Sequence, residues 1–156
     1  MVNIATILGI PIAIWTLKAD HERQKKQSTV EFDREISSIA VDLQNQIKDI
    51  FHDDVINPND ERYDKNNNIQ NIIKNYLSLM EQFSLGINMG IYDITTYIRL
   101  SGRTTTNWYN QLKEIINDNR NKNSQPSLYI EFEMMVEKIN KKTPKMNNTS
   151  GNIWLG

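Results

Sequence analysis

Between residues 69 and 87 the apolar side chains fall at Ile69, Ile72, Ile73, Tyr76, Leu77, Met80, Phe83 and Ile87. Spacings of three and four place them along one side of an α-helix, whereas a strand would need alternation at every second residue. So wide a stripe has to be covered by elements of the same kind. The chain offers Ile36, Ile39, Ala40, Leu43, Ile47, Ile50 and Phe51; then Trp108, Leu112, Ile115 and Ile116; then Leu128, Tyr129, Phe132, Met135, Val136 and Ile139. The expected fold is all-α: a small helical bundle with a long N-terminal helix that begins as an apolar segment. A chain of 156 residues has room for one such domain. Ile36, Leu43 and Ile50 also recur every seven residues, which suits a short coiled-coil seam as well as a bundle helix.

Turn and cap residues divide the stripes. Asn57-Pro58-Asn59-Asp60 is turn chemistry, and residues 55–68 read as a loop. Gly86 and Gly90 stand near the end of the strongest stripe, where a left-handed cap is useful. Asp93 should cap a short helix reaching about Leu100. Ser101-Gly102 should stop it, and Thr104 to Thr106 should start another. Pro126 suits the first turn of the last helix, and Lys138, Lys141 and Lys142 complement the dipole at its end. The expected organisation is an apolar anchor or docking segment at 1–17, a bundle at 18–142 and a tail at 143–156 that carries Ile153-Trp154-Leu155.

No charge interrupts the chain from Ile4 to Leu17. As a helix this run measures roughly 20 Å, short of the ~30 Å hydrocarbon core of a bilayer. Three readings stand: a short, tilted or oligomeric membrane anchor; a buried helix packed on the domain or on another copy; and a segment inserted into a partner protein. In each, Ile4, Ile7, Leu8, Ile10, Ile12, Ile14, Trp15 and Leu17 carry the contact. Lys18, Arg23, Lys25 and Lys26 come directly after it. On the positive-inside rule they hold the adjoining domain on the cytoplasmic side, and they can meet lipid head groups.

The rest of the chain argues against chemistry. A net charge of −1 lacks the basic surplus of a general nucleic-acid binder, and the absence of cysteine removes disulfides and thiol catalysis. His52-Asp53-Asp54 resembles the pair found in metal phosphohydrolases, yet no later histidine completes a site. Asp60, Glu61 and Asp64 lack the spacing of a calcium loop. A nucleophile elbow and a phosphate loop are both missing. Ser101 to Thr106, with Arg103, could hold an anion if a helix began there, but a capped turn accounts for the same residues. No catalytic residue, metal, cofactor or small-molecule substrate is expected.

The stretch Tyr76-Leu77-Ser78-Leu79-Met80-Glu81-Gln82-Phe83-Ser84-Leu85-Gly86-Ile87-Asn88-Met89-Gly90-Ile91-Tyr92-Asp93 resembles the signature of a bacterial family known only as a domain of unknown function. Trp108, Leu112, Arg120 and Tyr129-x-x-Phe132-Glu133 are similar to its later segments, so the resemblance covers about residues 65 to 140. It implies an N-terminal membrane segment joined to a helical cytoplasmic domain, and no activity. Within the signature, Glu81 is expected to make a structural polar contact with Arg103, Arg120 or a backbone amide. The expected function is a membrane-tethered, non-catalytic helical interaction module on the cytoplasmic face of a bacterial membrane. The alternative is a soluble cytoplasmic regulator or inhibitor, bacterial or phage-borne, whose N-terminal helix docks into a protein partner or self-associates as a homo-oligomer.

Overall fold

A computed structural model describes the backbone of residues 4–51 and 56–150 and the side chains of residues 15–51 and 56–143. All its regular elements are helices: α1 (Ile4–Phe51), α2 (Glu61–Asp64), α3 (Asn67–Asn88), α4 (Ile94–Lys122) and α5 (Ile130–Ser150). The strongest stripe forms α3, started by the Asn66 side chain, which accepts from the Ile69 amide at 3.1 Å. α3 packs most extensively on α5 and α1, and α4 packs on the same two helices. Pairs of contacts fix the directions. Phe32 stacks on Phe83 while Gln46 meets Asn68, so α1 and α3 are antiparallel. Tyr109 meets Phe132 while Gly102 faces Ile139, so α4 and α5 are antiparallel. Ser84 meets Met135 while Asn88 meets Lys138, so α3 and α5 run the same way.

The predicted stripes form the core. Leu43, Ile69, Leu77, Met80, Phe83, Leu112, Phe132 and Met135 have no exposed surface. Phe83 sits at the centre of an aromatic group, its ring centroid 5.0 Å from Phe32, 5.0 Å from Tyr92 and 4.6 Å from Tyr97. Such pairs add to the area term that already favours burying large rings. Ile36 and Leu43 are buried within their own bundle and Ile50 is half-buried, so the seven-residue repeat is used inside the chain and not as an intermolecular seam.

Several boundaries differ from expectation. α4 is one helix from Ile94 to Lys122; Ser101-Gly102 does not stop it. Gly102 is buried, and a Cβ there would lie 3.4 Å from Ile139, so its small size lets α5 come close. Thr105 and Thr106 start nothing. Thr106 bonds back to the Gly102 carbonyl at 3.1 Å, and Thr105 shares a 2.6 Å bond with the Tyr97 hydroxyl. Without a helix start, the anion-binding reading of Ser101 to Thr106 loses its basis. The loop at 55–68 contains the single turn α2, capped by Asp60. Pro126 precedes the last helix, which starts only at Ile130. The segment expected to be tail from Thr143 continues as helical backbone through Pro144 to Ser150.

The expected left-handed cap is present after α3. Gly90 has φ +78°, with Gly90 N–H on the Ile87 carbonyl and Ile91 N–H on that of Gly86. These are the two bonds of a Schellman motif. The same pair closes α4 around Ser124, a non-glycine residue at φ +53°.

Phe83→Ala should destabilise the protein by about 3–5 kcal/mol, because it opens a cavity against three aromatic neighbours. Urea denaturation checks this; a loss below ~1 kcal/mol would mean that the ring is not part of a tightly packed core.

Candidate functional site

Two places on the molecule gather functional-looking residues: the start of α5 and the part of α1 that precedes the bundle. At the first, α5 has no capping side chain of its own. The residue before it is Tyr129, in the left-handed region at φ +59°. Its cap comes from α3. The Glu81 carboxylate accepts from the amides of Glu131 (3.2 Å) and Phe132 (2.9 Å), which are free of intrahelical partners at a helix start. A carboxylate at this end also suits the helix dipole. Asn88, two turns further along α3, donates to the Glu131 carbonyl and carboxylate and accepts from Lys138 at 2.7 Å. Arg120 closes the other side, donating to the Leu128 carbonyl and, at 2.8 Å, to Glu133.

Of the three residues expected in a structural polar contact, Glu81 bonds backbone amides and Arg120 pairs with Glu133. Arg103 lies exposed on α4 and is not the partner of either Glu81 oxygen. The Arg120 bond holds the Glu133 carboxyl below its ordinary pKa. Burial and the nearby Glu133 charge push the Tyr109 phenol up to about 12. Glu81 is engaged by the α5 amides, Glu133 by Arg120, and Glu131 and Lys138 by Asn88, so the cluster holds α3, α4 and α5 together.

The second place is the stem of α1. From Trp15 to Ser28 every side chain is exposed except Lys25, which is half-buried; Trp15 is 73% and Leu17 70% exposed. Burial begins at Thr29, whose hydroxyl donates to the Lys25 carbonyl and accepts the Asp93 amide at 2.8 Å. Asp93 in turn caps α4 through the Thr96 amide. Burial works against its charge, but the Thr96 bonds and the charges of Lys26 and Lys25 hold its pKa below the ordinary value. Thr29 thus ties the emerging stem to the α3–α4 turn. Nothing in the sequence marks it out, because its partner is 64 residues away. Nearby on α1, Asp33 Oδ1 is buried with no hydrogen-bond partner.

Lys18, Arg23 and Lys26 lie exposed on this stem with Trp15 and Leu17. The side chains of Ile4, Ile7, Leu8, Ile10, Ile12 and Ile14 lie outside the described residues, as do His52, Asp53, Asp54 and Ile153-Trp154-Leu155. Among the described residues no helix is long and apolar enough to cross a membrane, so the spanning form of the anchor finds no support there. Nor does any group of three acidic or histidine side chains among them stand ready to hold a metal ion. Asp60 is engaged by Arg62 and Glu61 by Lys65, which accounts for two carboxylates of the acidic loop. An open depression between α3 and the α4–α5 turn is lined by Tyr63, Gln70, Asn71, Lys74, Asn119 and Asn123, without an acid–base pair.

Compared with known families, residues 3–139 match the model of a domain of unknown function, DUF4760. The match reaches well beyond the signature at 76–93 and takes in the apolar run and the stem. No curated protein and no solved structure matches the chain.

Glu81→Ala should cost about 1–2 kcal/mol, the range for loss of a helix cap, and should speed hydrogen exchange at the Glu131 and Phe132 amides selectively. Exchange spread evenly over α5 would show that the contact is not a cap. The lowered pKa of folded Glu133 means that its pairing stabilises the fold above the ordinary value of 4.5 and that this contribution is lost as pH falls through the folded value. Glu133→Gln should therefore be less stable than the parent at pH 7 and converge with it in acid, as measured by thermal melts across pH.

Proposed function

This chain belongs to the DUF4760 family of domains of unknown function, and we propose that it is a non-catalytic helical interaction module tethered to a membrane surface by its apolar N-terminus. The observation that carries the proposal is the continuity of α1. One helix runs from Ile4 into the bundle and ends at Phe51, yet its side chains are exposed along the stem from Trp15 until burial begins at Thr29. An uncharged run of this size needs a cover, because contiguous apolar patches beyond a few hundred Å² generally mark interaction sites.

A lipid surface suits the chemistry of the stem. Trp15 and Leu17 are exposed at the end of the run, where an interfacial aromatic belongs, and Lys18, Arg23, Lys25 and Lys26 come next, within reach of anionic head groups. Too short to span, the run enters the bilayer from the side on which the bundle stands. The bundle itself then offers contacts to a protein partner. Met89 and Ile91, 67% and 56% exposed on the α3–α4 turn, are candidates at the stem end. The engagement of Glu81 by the α5 amides and of Glu133 by Arg120 supports a scaffolding role over a catalytic one.

A protein groove is the second reading, favoured by the same shortness of the run. Deleting residues 1–17 should leave a helical protein that melts cooperatively, because the stem contributes no buried side chain between Trp15 and Ser28. It should also abolish sedimentation with membranes in high salt. An unfolded product would place the segment in the core and sink both readings; a parent chain that never sediments with membranes would favour the protein groove.

A further inference from the structure

The stem of α1 leaves the bundle beside the α3–α4 turn and makes a re-entrant corner with it. α1 is antiparallel to α3, and the Thr29 hydroxyl, which accepts the Asp93 amide, marks the side of α1 that faces the turn. Counting back from Thr29 in steps of three and four residues gives Lys26 and Lys25, then Glu22, Lys18 and Trp15. These positions share one side of a helix, and a drift of ~20° per heptad turns Trp15 only about 40° away from Thr29. Asp20, nine residues before Thr29, falls on the opposite side. The stem wall of the corner therefore carries Lys18, Lys25 and Lys26 against Glu22 alone, and it ends in the exposed Trp15. The other wall is the turn. Met89 and Ile91 are exposed there on a backbone fixed by the Gly90 cap, with Met89 N–H on the Leu85 carbonyl and Ile91 N–H on that of Gly86. α5 runs the same way as α3 and reaches this end too, where Lys138 bonds Asn88. Asp93 is taken by the Thr96 amide. The turn thus presents two apolar side chains between cations that come from α1 and α5.

We propose that this corner docks an amphipathic helix of a protein partner whose polar face is acidic. The inference deepens the partner-binding role proposed above and rests on it. Shape decides between a partner and lipid. A flat bilayer cannot fill a re-entrant corner, whereas a helix about 10 Å across fits along a wall that runs about 21 Å from Trp15 to Thr29. The apolar face of the partner helix covers Met89, Ile91 and Trp15, and its carboxylates meet Lys18, Lys25 and Lys26. The residue types suit such a contact. The thioether of methionine adapts to the side chains it meets, and tryptophan is enriched among the residues that carry binding energy. Opposite charge across the contact speeds the encounter and turns basic helices away, while the apolar anchors supply the affinity. A helix seated here touches the stem and the bundle at once, so it also braces the one against the other.

The test uses the full chain carrying Trp154→Phe, whose remaining tryptophans are Trp15 and the buried Trp108. Two synthetic helical peptides serve as probes, one of leucine and glutamate at amphipathic spacing and one with lysine in place of glutamate. The acidic peptide should shift Trp15 emission to the blue and bind more weakly as salt rises. Met89→Asp with Ile91→Asp should weaken that binding about tenfold or more, the loss expected for apolar anchors, and leave the melting temperature unchanged because both side chains are exposed. Lys18→Glu with Lys26→Glu should weaken the acidic peptide and strengthen the basic one. Equal binding of the two peptides to the parent chain overturns the proposal, as does binding that the changes at Met89 and Ile91 leave unaltered. These measurements need no lipid, so they are separate from the tether. A chain that binds the acidic peptide but never sediments with membranes loses the tether and keeps the docking site. If the changes at Met89 and Ile91 abolish sedimentation with membranes, the corner is a lipid contact and the proposal falls.

Discussion

The start of α5 is the joint on which the bundle depends. A helix that begins after a left-handed tyrosine has no side chain of its own to cover its first amides, and buried amides without partners are costly. Glu81 supplies two acceptors from α3, and Asn88 holds the adjacent turn. Arg120 gathers in the preceding loop through the Leu128 carbonyl. The register between α3 and α5 is thus set by directional bonds, while the apolar stripes, which tolerate sliding, supply the bulk of the burial. α4 depends on the same joint, since Tyr109 packs on Phe132 and Gly102 admits Ile139 only when α5 is in place.

The opposite end of the bundle is organised by smaller contacts with a larger geometric effect. The α3–α4 turn is fixed by Gly90 in its left-handed conformation and by Asp93 capping α4. Thr29 joins α1 to that turn by a single bond from the Asp93 amide. From there toward its N-terminus α1 goes on as helix, with exposed side chains from Ser28 back to Trp15 except the half-buried Lys25. The orientation of the stem is therefore inherited from the bundle through an unbroken backbone. An attachment at residues 4–17 would fix how the bundle stands.

Gly86 shows why the family signature needs its spacing. A Cβ at that position would run into the ring of Tyr92, which turns back over the end of α3 and packs at 5.0 Å on Phe83. The glycine removes the obstacle, its carbonyl takes the Ile91 amide, and the tyrosine closes the aromatic group. From Gly86 to Asp93 the pattern is a packing and capping device.

The range of the forces involved decides how much of this is legible in the sequence. Helical periodicity is local, so the four stripes, the all-α class, the cap at Asp93 and the left-handed turn at Gly90 can be read directly. The same local reasoning errs in placing a break at Ser101-Gly102. Glycine and serine weaken an isolated helix, but α5 packing against Gly102 outweighs that propensity, and the hydroxyls nearby bond within the helix or to Tyr97. Glu81 can be singled out within a resemblance, with a backbone amide among its candidate partners. Which amides they are depends on a residue pair about 50 positions apart, as does the bond between Asn88 and Lys138. The sequence by itself determined which surfaces had to be buried and that residues 4–17 form an uncharged apolar run, because both come from side-chain chemistry along one chain. Only the tertiary structure decided that the stem of α1 and the end of α5 leave the bundle at one end, since direction is set by contacts between helices that no local pattern encodes.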